Sequence, residues 1–130
     1  MRITLSPINF GYKSILKSEY LKGNIKLKKD ITGNMLTKDN VTLDHTIPKV
    51  RGGKSRLDNY SLMVDYINHR RGSNNLKDII DLPSLIDYIT IIINTKTRDF
   101  DGVEYLKGWL KNLRKEIWPM ACGGKKKKGR

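Results

Sequence analysis

The stretch from Thr42 to Gly72 limits the possible folds of this chain more than any other part of the sequence. It reads TLDHTIPKVRGGKSRLDNYSLMVDYINHRRG. Apolar residues alternate with polar ones at Val41 and Leu43 and again from Tyr60 to Val64, which predicts two short strands. A proline and a Gly-Gly pair between them predict a loop, and helical spacing follows as far as the final glycine. The stretch therefore predicts a strand, a long loop, an antiparallel strand and a helix in direct succession.

The flanking segments predict an α+β protein with a basic N-terminal extension and C-terminal helices. Ahead of the stretch, the patterns predict an extended lead-in over residues 3–10, a helix over 14–22 and a half-buried strand over 24–29. After it, apolar spacing predicts amphipathic helices over about 84–118, and a proline stops the last one. The core is expected to include Leu36, Val41, Leu43, Ile47, Leu62 and Ile67.

Length and cysteine content bound the organisation of the chain. At 130 residues it can form one domain with a modest core, which we expect over residues 1–120. Residues 121–130 contain Gly-Gly and four consecutive lysines and are expected to form a disordered basic tail. Cys122 is the single cysteine, so an internal disulfide and a cysteine-based zinc site are both excluded within one chain. We therefore expect no structural zinc.

The charge balance points to a polyanionic partner. Lysine and arginine number 26 against 13 acidic residues, which gives a net charge of +13, and the excess is spread along the chain. Nucleic acid is the leading partner on this ground, with an anionic membrane, a ribosome-type assembly and simple solubility as alternatives. The apolar run Ile89–Ile93 is too short to span a bilayer, and lysines interrupt any signal-peptide core near the N-terminus. We expect a cytoplasmic protein that is neither exported nor in a membrane.

Two residues at the start of the central stretch and one near its end could support metal-dependent hydrolysis. Asp44 offers a carboxylate oxygen and Asn68 an amide oxygen, which suit Mg²⁺ or Mn²⁺. His45 is a suitable general base for taking a proton from water. Adjacent residues in a regular strand point to opposite faces, so Asp44 and His45 can share one site only if the strand ends there.

These residues, taken in order, resemble those of the HNH endonucleases, whose core is the ββα-metal (His-Me finger) fold. The resemblance consists of the Asp-His pair, the nearby proline, the Gly-Gly pair, a central Asn59 and the closing Asn-x-x-basic-Gly. It covers Thr42 to Gly72, about a quarter of the chain. Asn68 stands where the family name has histidine, as in the HNN variant, and the paired CxxC zinc ligands of many relatives are absent.

The resemblance implies a role for each of these positions. Asp44 and Asn68 would bind one Mg²⁺ or Mn²⁺ ion, and His45 would activate the attacking water. Asn59 would act mainly as a brace for the loop that carries the base. The protein would then be a metal-dependent DNA endonuclease that leaves 5′-phosphate and 3′-hydroxyl ends. The residues expected to contact nucleic acid are Lys49, Arg51, Lys54, Arg70 and Arg71.

Several alternatives remain open at this point. The core could be retained without turnover in a nucleic-acid-binding or assembly protein, or the nuclease could act on RNA. His69 is the alternative to Asn68 for the last position, although Asn68 gives the better register with the following Arg-Gly. Trp109 and Trp118 are expected in the core rather than as base-stacking platforms. Small proteins of this kind are common in phages and mobile elements, so we expect a bacterial or phage protein, as a homodimer or part of a larger phage-type complex.

Overall fold

The computed structural model describes residues 15–117 of the chain, which form an α+β arrangement. The expected fold class is confirmed at this level. The helices are α1 (Ile15–Leu21), α2 (Asp65–Arg71), α3 (Leu82–Asn94) and α4 (Gly102–Ile117), and the strands are β1 (Val41–His45) and β2 (Tyr60–Val64). The predicted lead-in over 3–10, Trp118 and the predicted tail over 121–130 lie outside the described residues.

The central stretch forms the elements that the sequence predicts. The strands β1 and β2 pair antiparallel, from Val41 opposite Val64 to His45 opposite Tyr60. The helix α2 follows β2 without a break. It ends at Gly72, whose φ of 54° lies in the left-handed region that glycine adopts most easily. The β1–β2 loop, residues 46–59, contains two short 3₁₀ turns, Lys49–Arg51 and Leu57–Asn59.

The outer edge of β2 is covered by side chains rather than by a third strand. The amide of Leu62 donates to the hydroxyl oxygen of Tyr88 at 3.2 Å, and the amide of Val64 donates to Asp30 Oδ2 at 2.9 Å. All five residues of the strand are buried. A two-stranded sheet is marginal in water, so these contacts and the helices behind them stabilise it. The strand edge is thereby closed to further pairing.

The predicted strand over residues 24–29 is wrong, although its alternating burial is right. Ile25 and Leu27 are buried, but the segment pairs through one isolated bridge to the chain beyond the next turn. The carboxylate of Asp30 accepts hydrogen bonds from Thr32 and Asn34 and so closes that turn locally. The same carboxylate occupies the edge of β2 where a third strand would have to bind.

The helices α3 and α4 pack together over the sheet, as predicted. Asp81 caps α3 by accepting from the amide of Ser84 at 3.0 Å. Trp109 on α4 has no exposed surface, which confirms its place in the core. Its indole N–H donates to Ser61 Oγ at 2.8 Å, and its ring stacks on Tyr88 at 5.0 Å between centroids. None of the helices within residues 15–117 is long and apolar enough to cross a bilayer.

The expected core residues differ in how deeply they are buried. Leu36, Val41 and Leu62 are buried, whereas Leu43 and Ile67 are partly buried and pack against the core. Ile47 is half-buried and lines a cavity between the β1–β2 loop and α4. The prediction is therefore wrong for Ile47, because the loop that carries it lies over α4 without closing the space between them.

Candidate metal and nucleic-acid site

A groove of about 320 Å³ opens between the end of β1, the start of the β1–β2 loop and the end of α2. We call it the β1–α2 groove. Asp44, His45 and Asn68 all line it, together with the exposed Lys49. His69 is exposed and does not line the groove. The structure therefore brings together the three residues that the sequence proposes for metal binding and for activation of water.

Asp44 and His45 line the same groove at the end of β1. His45 is the last residue of the strand and pairs with Tyr60 in the sheet. The amide of Thr46 still bonds to the carbonyl of Asn59 at 2.7 Å, after which the chain enters the 3₁₀ turn at Lys49–Arg51. Both residues are still paired in the ladder, and the groove that they line opens at the last two positions of the strand.

The carboxylate of Asp44 is nearly buried, with 5% of the residue exposed. Burial raises its pKa to about 6; Arg71, which donates a charge-assisted hydrogen bond to Oδ2, opposes this effect, and Glu116 adds to it. Arg71 is its one hydrogen-bond partner among the described residues. The second carboxylate oxygen is therefore available for a ligand in the groove.

The amide of Asn68 is oriented by its own hydrogen bonds. Its Nδ2 donates to Thr42 Oγ1 at 2.9 Å and to the carbonyl oxygen of Leu43 at 3.2 Å. Because a carbonyl can only accept, the nitrogen must face Leu43. The Oδ1 atom has no hydrogen-bond partner within residues 15–117 and is left to accept from, or coordinate, a bound group.

The available oxygens fit a hard divalent ion. One carboxylate oxygen from Asp44 and one amide oxygen from Asn68 are ligand types that Mg²⁺ and Mn²⁺ accept, and Mg²⁺ commonly keeps several waters. Within the part of the chain that the structure describes, no group of three or more His, Cys, Asp or Glu side chains is arranged to hold a metal ion. A two-residue oxygen site is the arrangement that these side chains can provide.

The ring of His45 is held by one hydrogen bond and one ring contact. Its Nε2 lies 3.2 Å from Ser55 Oγ, and its ring lies 4.9 Å from that of Tyr60. Partial burial lowers its pKa, and the positive charges of Lys49 and Arg71 lower it further. The imidazole is therefore neutral at pH 7, which is the state that a general base needs. Sequence patterns gave no indication of Ser55, because a lone serine in a loop has no recognisable spacing.

The side chain of Asn59 ties the β1–β2 loop together, and 2% of the residue is exposed. Its Oδ1 accepts from the amide of Ile47 at 2.9 Å. Its Nδ2 donates to the carbonyls of Ile47 at 3.0 Å and Lys54 at 2.9 Å. These three bonds join the two halves of the loop close to His45, which is the geometry of a brace.

The guanidinium of Arg71 is buried and fully used inside the protein. Its five N–H bonds are matched by five acceptors: Asn74 O, Asp44 Oδ2, His45 O, Thr46 O and Glu116 Oε1. Sequence analysis expected this residue to contact phosphate. With none of its side chain exposed, it instead holds the end of β1 and the carboxylate of Asp44.

Glu116, near the end of α4, connects that helix to the groove. Its Oε1 accepts from Arg71 Nη2 at 2.8 Å, from Arg51 Nη2 at 2.8 Å and from the amide of Leu76 at 3.2 Å. The sequence did carry a signal for it: Glu116 falls seven residues after Trp109, on the buried face of an amphipathic helix. A carboxylate at such a position requires a buried cation.

The five basic residues expected on nucleic acid do not form one surface. Lys49 is exposed at the β1–α2 groove, whereas Lys54 and Arg70 are exposed at two other cavities. Arg51 is exposed in part, and its guanidinium bonds to Glu116 and Asn75. With Arg71 buried, Lys49 is the member of this set that lies at the groove itself.

The resemblance to HNH endonucleases rests on the order of residues in the central stretch and stays a prediction. Asp44, His45 and Asn68 line the β1–α2 groove, and the side chain of Asn59 ties the loop together. The chain was also compared with protein-family models, curated proteins and solved structures. None of these matches it.

Proposed function

We propose that this protein is a metal-dependent endonuclease that hydrolyses phosphodiester bonds in DNA. The observation that carries the proposal is the meeting of Asp44, His45 and Asn68 in one groove. A base, two oxygen ligands and an exposed Lys49 in one place are the groups that hydrolysis of a phosphodiester uses. Each of them would be unremarkable alone.

His45 is the general base in this proposal. When Nε2–H donates to Ser55 Oγ, the lone pair of the neutral ring is on Nδ1. Nδ1 takes a proton from water, the water oxygen bonds to phosphorus, and the bond from phosphorus to the 3′ oxygen breaks. The products are a 5′-phosphate and a 3′-hydroxyl, the latter completed by a proton from solvent.

Asp44 and Asn68 would hold Mg²⁺ or Mn²⁺ in the groove. Such an ion, when bound, neutralises charge on the phosphate and on the leaving oxygen. The protein charges around Asp44 are balanced, since Asp44 and Glu116 face Arg71 and Arg51. The site therefore has no excess negative charge for a dication, and we expect the substrate phosphate to complete it.

Positioning in the proposed reaction comes from groups that do not touch the substrate. Arg71 fixes the carboxylate of Asp44 and the backbone of His45 through buried hydrogen bonds. Asn59 fixes the loop beside them. Preorganisation of this kind removes the need to reorder the site during the reaction. The net charge of +13 adds attraction for a polyanion such as DNA.

A nicking assay tests the proposal directly. Supercoiled plasmid is incubated with the protein in Mg²⁺, in Mn²⁺ and with a chelator, beside His45→Ala and His69→Ala. We expect nicking that requires metal, is lost in His45→Ala and persists in His69→Ala, because His69 is exposed and does not line the groove. Intact plasmid under all conditions, or equal nicking by His45→Ala, would overturn the proposal. Cleavage of RNA but not plasmid would assign the activity to RNA instead.

A further inference from the structure

A second cavity, of about 430 Å³, lies between the β1–β2 loop and α4. We call it the loop–α4 cavity. Four basic residues line it: Lys54 and Arg56 from the loop, and Lys111 and Lys115 from the helix. The two helix lysines are four residues apart, so they share one face of α4. No residue of the proposed catalytic set except the brace Asn59 borders this space.

The cavity has walls fixed by close packing. A Cβ on Gly108 would lie 2.1 Å from Asp58 Oδ2, and a Cβ on Gly53 would lie 1.7 Å from the carbonyl oxygen of Ile47. The side-chain Nδ2 of Asn112 donates to the backbone carbonyl of Asp58 at 3.0 Å and attaches the loop to the helix. The loop approaches α4 as closely as it does because residue 108 is a glycine, whereas Gly53 lets the two halves of the loop approach each other.

The charge of the loop–α4 cavity is strongly positive. Arg56 pairs with the buried Asp58 at 3.0 Å, which neutralises one cation. Lys54, Lys111 and Lys115 make no ion pair with the described part of the chain and leave a net charge of about three positive units. Such a group of cations in one concave site attracts an anion.

Two buried polar atoms beside the cavity lack partners. Within residues 15–117, Arg56 Nε has no acceptor and Asp58 Oδ1 has no donor. Both atoms belong to the Arg56–Asp58 ion pair and are enclosed by the protein. They report the burial of that pair, so the three lysines around the cavity are the feature that favours an anion.

The same loop segment connects the cavity to the proposed base. Lys54 and Arg56 line the cavity, while Ser55 between them contacts His45 Nε2 at 3.2 Å. Ser55 itself does not line the cavity. An anion that fixes Lys54 and Arg56 would therefore also fix the serine that orients the imidazole.

We infer that the loop–α4 cavity is a phosphate-binding subsite. A phosphate offers several acceptor oxygens, which matches three lysines that the described part of the chain leaves without an ion pair in one concave site. The source of that phosphate rests on the proposed function: in a nuclease it is a phosphate of the bound strand other than the one being cleaved. The subsite then positions the nucleic-acid strand on the protein and orders the loop beside His45.

Binding without any divalent ion tests this inference separately from cleavage. The affinity for a fluorescent oligonucleotide is measured by anisotropy, in chelator, for Lys111→Ala/Lys115→Ala and for Lys38→Ala/Lys77→Ala. Both variants lose two exposed lysines and the same charge. We expect the first to bind at least about tenfold more weakly and with a smaller salt dependence, and the control to change by less than about threefold. Equal losses in the two variants would overturn the assignment to the strand.

Inorganic phosphate distinguishes a strand site from a site for a free anion. A titration followed by ¹H–¹⁵N NMR should shift the amides around Arg56 and Lys111 in the wild type and in Lys38→Ala/Lys77→Ala, and not in Lys111→Ala/Lys115→Ala. Phosphate binding with no difference in oligonucleotide affinity would assign the cavity to a free phosphate compound. Absence of these shifts, together with equal oligonucleotide affinities, would overturn the subsite altogether. Both experiments measure binding, so their results do not depend on whether the protein cleaves DNA.

Discussion

Arg71 is ion-paired with Asp44, and both side chains are buried beneath the β1–α2 groove. The same guanidinium bonds to the backbone of His45 and Thr46 and to Glu116 on α4. One arginine therefore links the proposed metal ligand, the strand end and the C-terminal helix. The functional groove is supported by a charge pair that reaches across three elements of the fold.

Removal of this arginine should destabilise the protein strongly. Arg71→Ala leaves Asp44 without its ion-pair partner and leaves Glu116 with Arg51 alone. Removing one partner of a buried ion pair costs about 3–5 kcal/mol. The free energy of unfolding, measured by urea denaturation, should fall by at least about 3 kcal/mol. Arg70→Ala, at the exposed neighbouring position, should stay within about 0.5 kcal/mol of the wild type. A similar small change in both variants would contradict the role given to Arg71.

Metal affinity should depend on Asp44 and on the presence of a phosphate. Asp44→Asn keeps the shape of the side chain and removes its charge, so Mn²⁺ affinity measured by electron paramagnetic resonance should fall at least about tenfold. The exposed Asp65→Asn is the matched control and should bind Mn²⁺ as the wild type does. Because the buried charges around Asp44 are balanced, a short oligonucleotide should tighten Mn²⁺ binding. Tighter binding of Mn²⁺ by Asp44→Asn would refute this ligand assignment.

The pH dependence of cleavage should report His45. The neutral ring is the active base, and its pKa is lowered by burial first and by Lys49 and Arg71 next. At saturating Mn²⁺ the nicking rate should therefore rise with pH and level off, with a midpoint below the ordinary histidine value of about 6.5. Lys49→Gln removes one of the charges, so the midpoint should move upward. Lys38→Gln, an exposed lysine that lines neither the groove nor the loop–α4 cavity, is the control, and an unchanged midpoint in Lys49→Gln would count against the assignment.

Ser55 should act as a positioning residue for the same base. Ser55→Ala removes the Oγ that contacts His45 Nε2, so the ring loses the partner that selects its tautomer. We expect a lower kcat with KM nearly unchanged, and partial rescue in Ser55→Thr, which restores a hydroxyl. A change confined to KM would indicate a contact with nucleic acid instead. The measurement is steady-state nicking at several substrate concentrations.

The sequence predicted the residues of the groove better than the contacts that support them. Asp44, His45 and Asn68 were recognisable because residue type, order and spacing are visible in the chain. Arg71 was assigned to phosphate since nothing in the sequence shows that a surface-type residue will meet two carboxylates. One of those carboxylates, Glu116, is separated from it by 45 residues, and a contact at that range leaves no local pattern.

The fold shows the same division between local and distant information. The two strands and α2 follow from short-range alternation and helical spacing, so they were predicted correctly. The expected strand over 24–29 failed because Asp30 and Tyr88 occupy the edge of β2. The alternation of Ile25 and Leu27 with lysines indicates that one side of the segment is buried. It does not indicate whether the edge of β2 is free to pair with that segment.

At Gly108, the helix propensity of alanine and the close contact with Asp58 should change the free energy of unfolding in opposite directions. Replacing glycine by alanine inside an exposed helix normally stabilises it by about 1 kcal/mol. Here the new Cβ would lie 2.1 Å from the buried Asp58 Oδ2, so Gly108→Ala should instead lower the free energy of unfolding by about 1–3 kcal/mol. In Asp58→Gly, which removes that oxygen and the Asp58 Cβ that would lie 2.8 Å from the new atom, the same substitution should cost less than about 0.5 kcal/mol or become stabilising. The double-mutant cycle, measured by urea denaturation, therefore reports how closely the loop lies on α4. Purely additive changes would mean that the loop does not approach the helix at Gly108, and the walls of the loop–α4 cavity would have to be placed elsewhere.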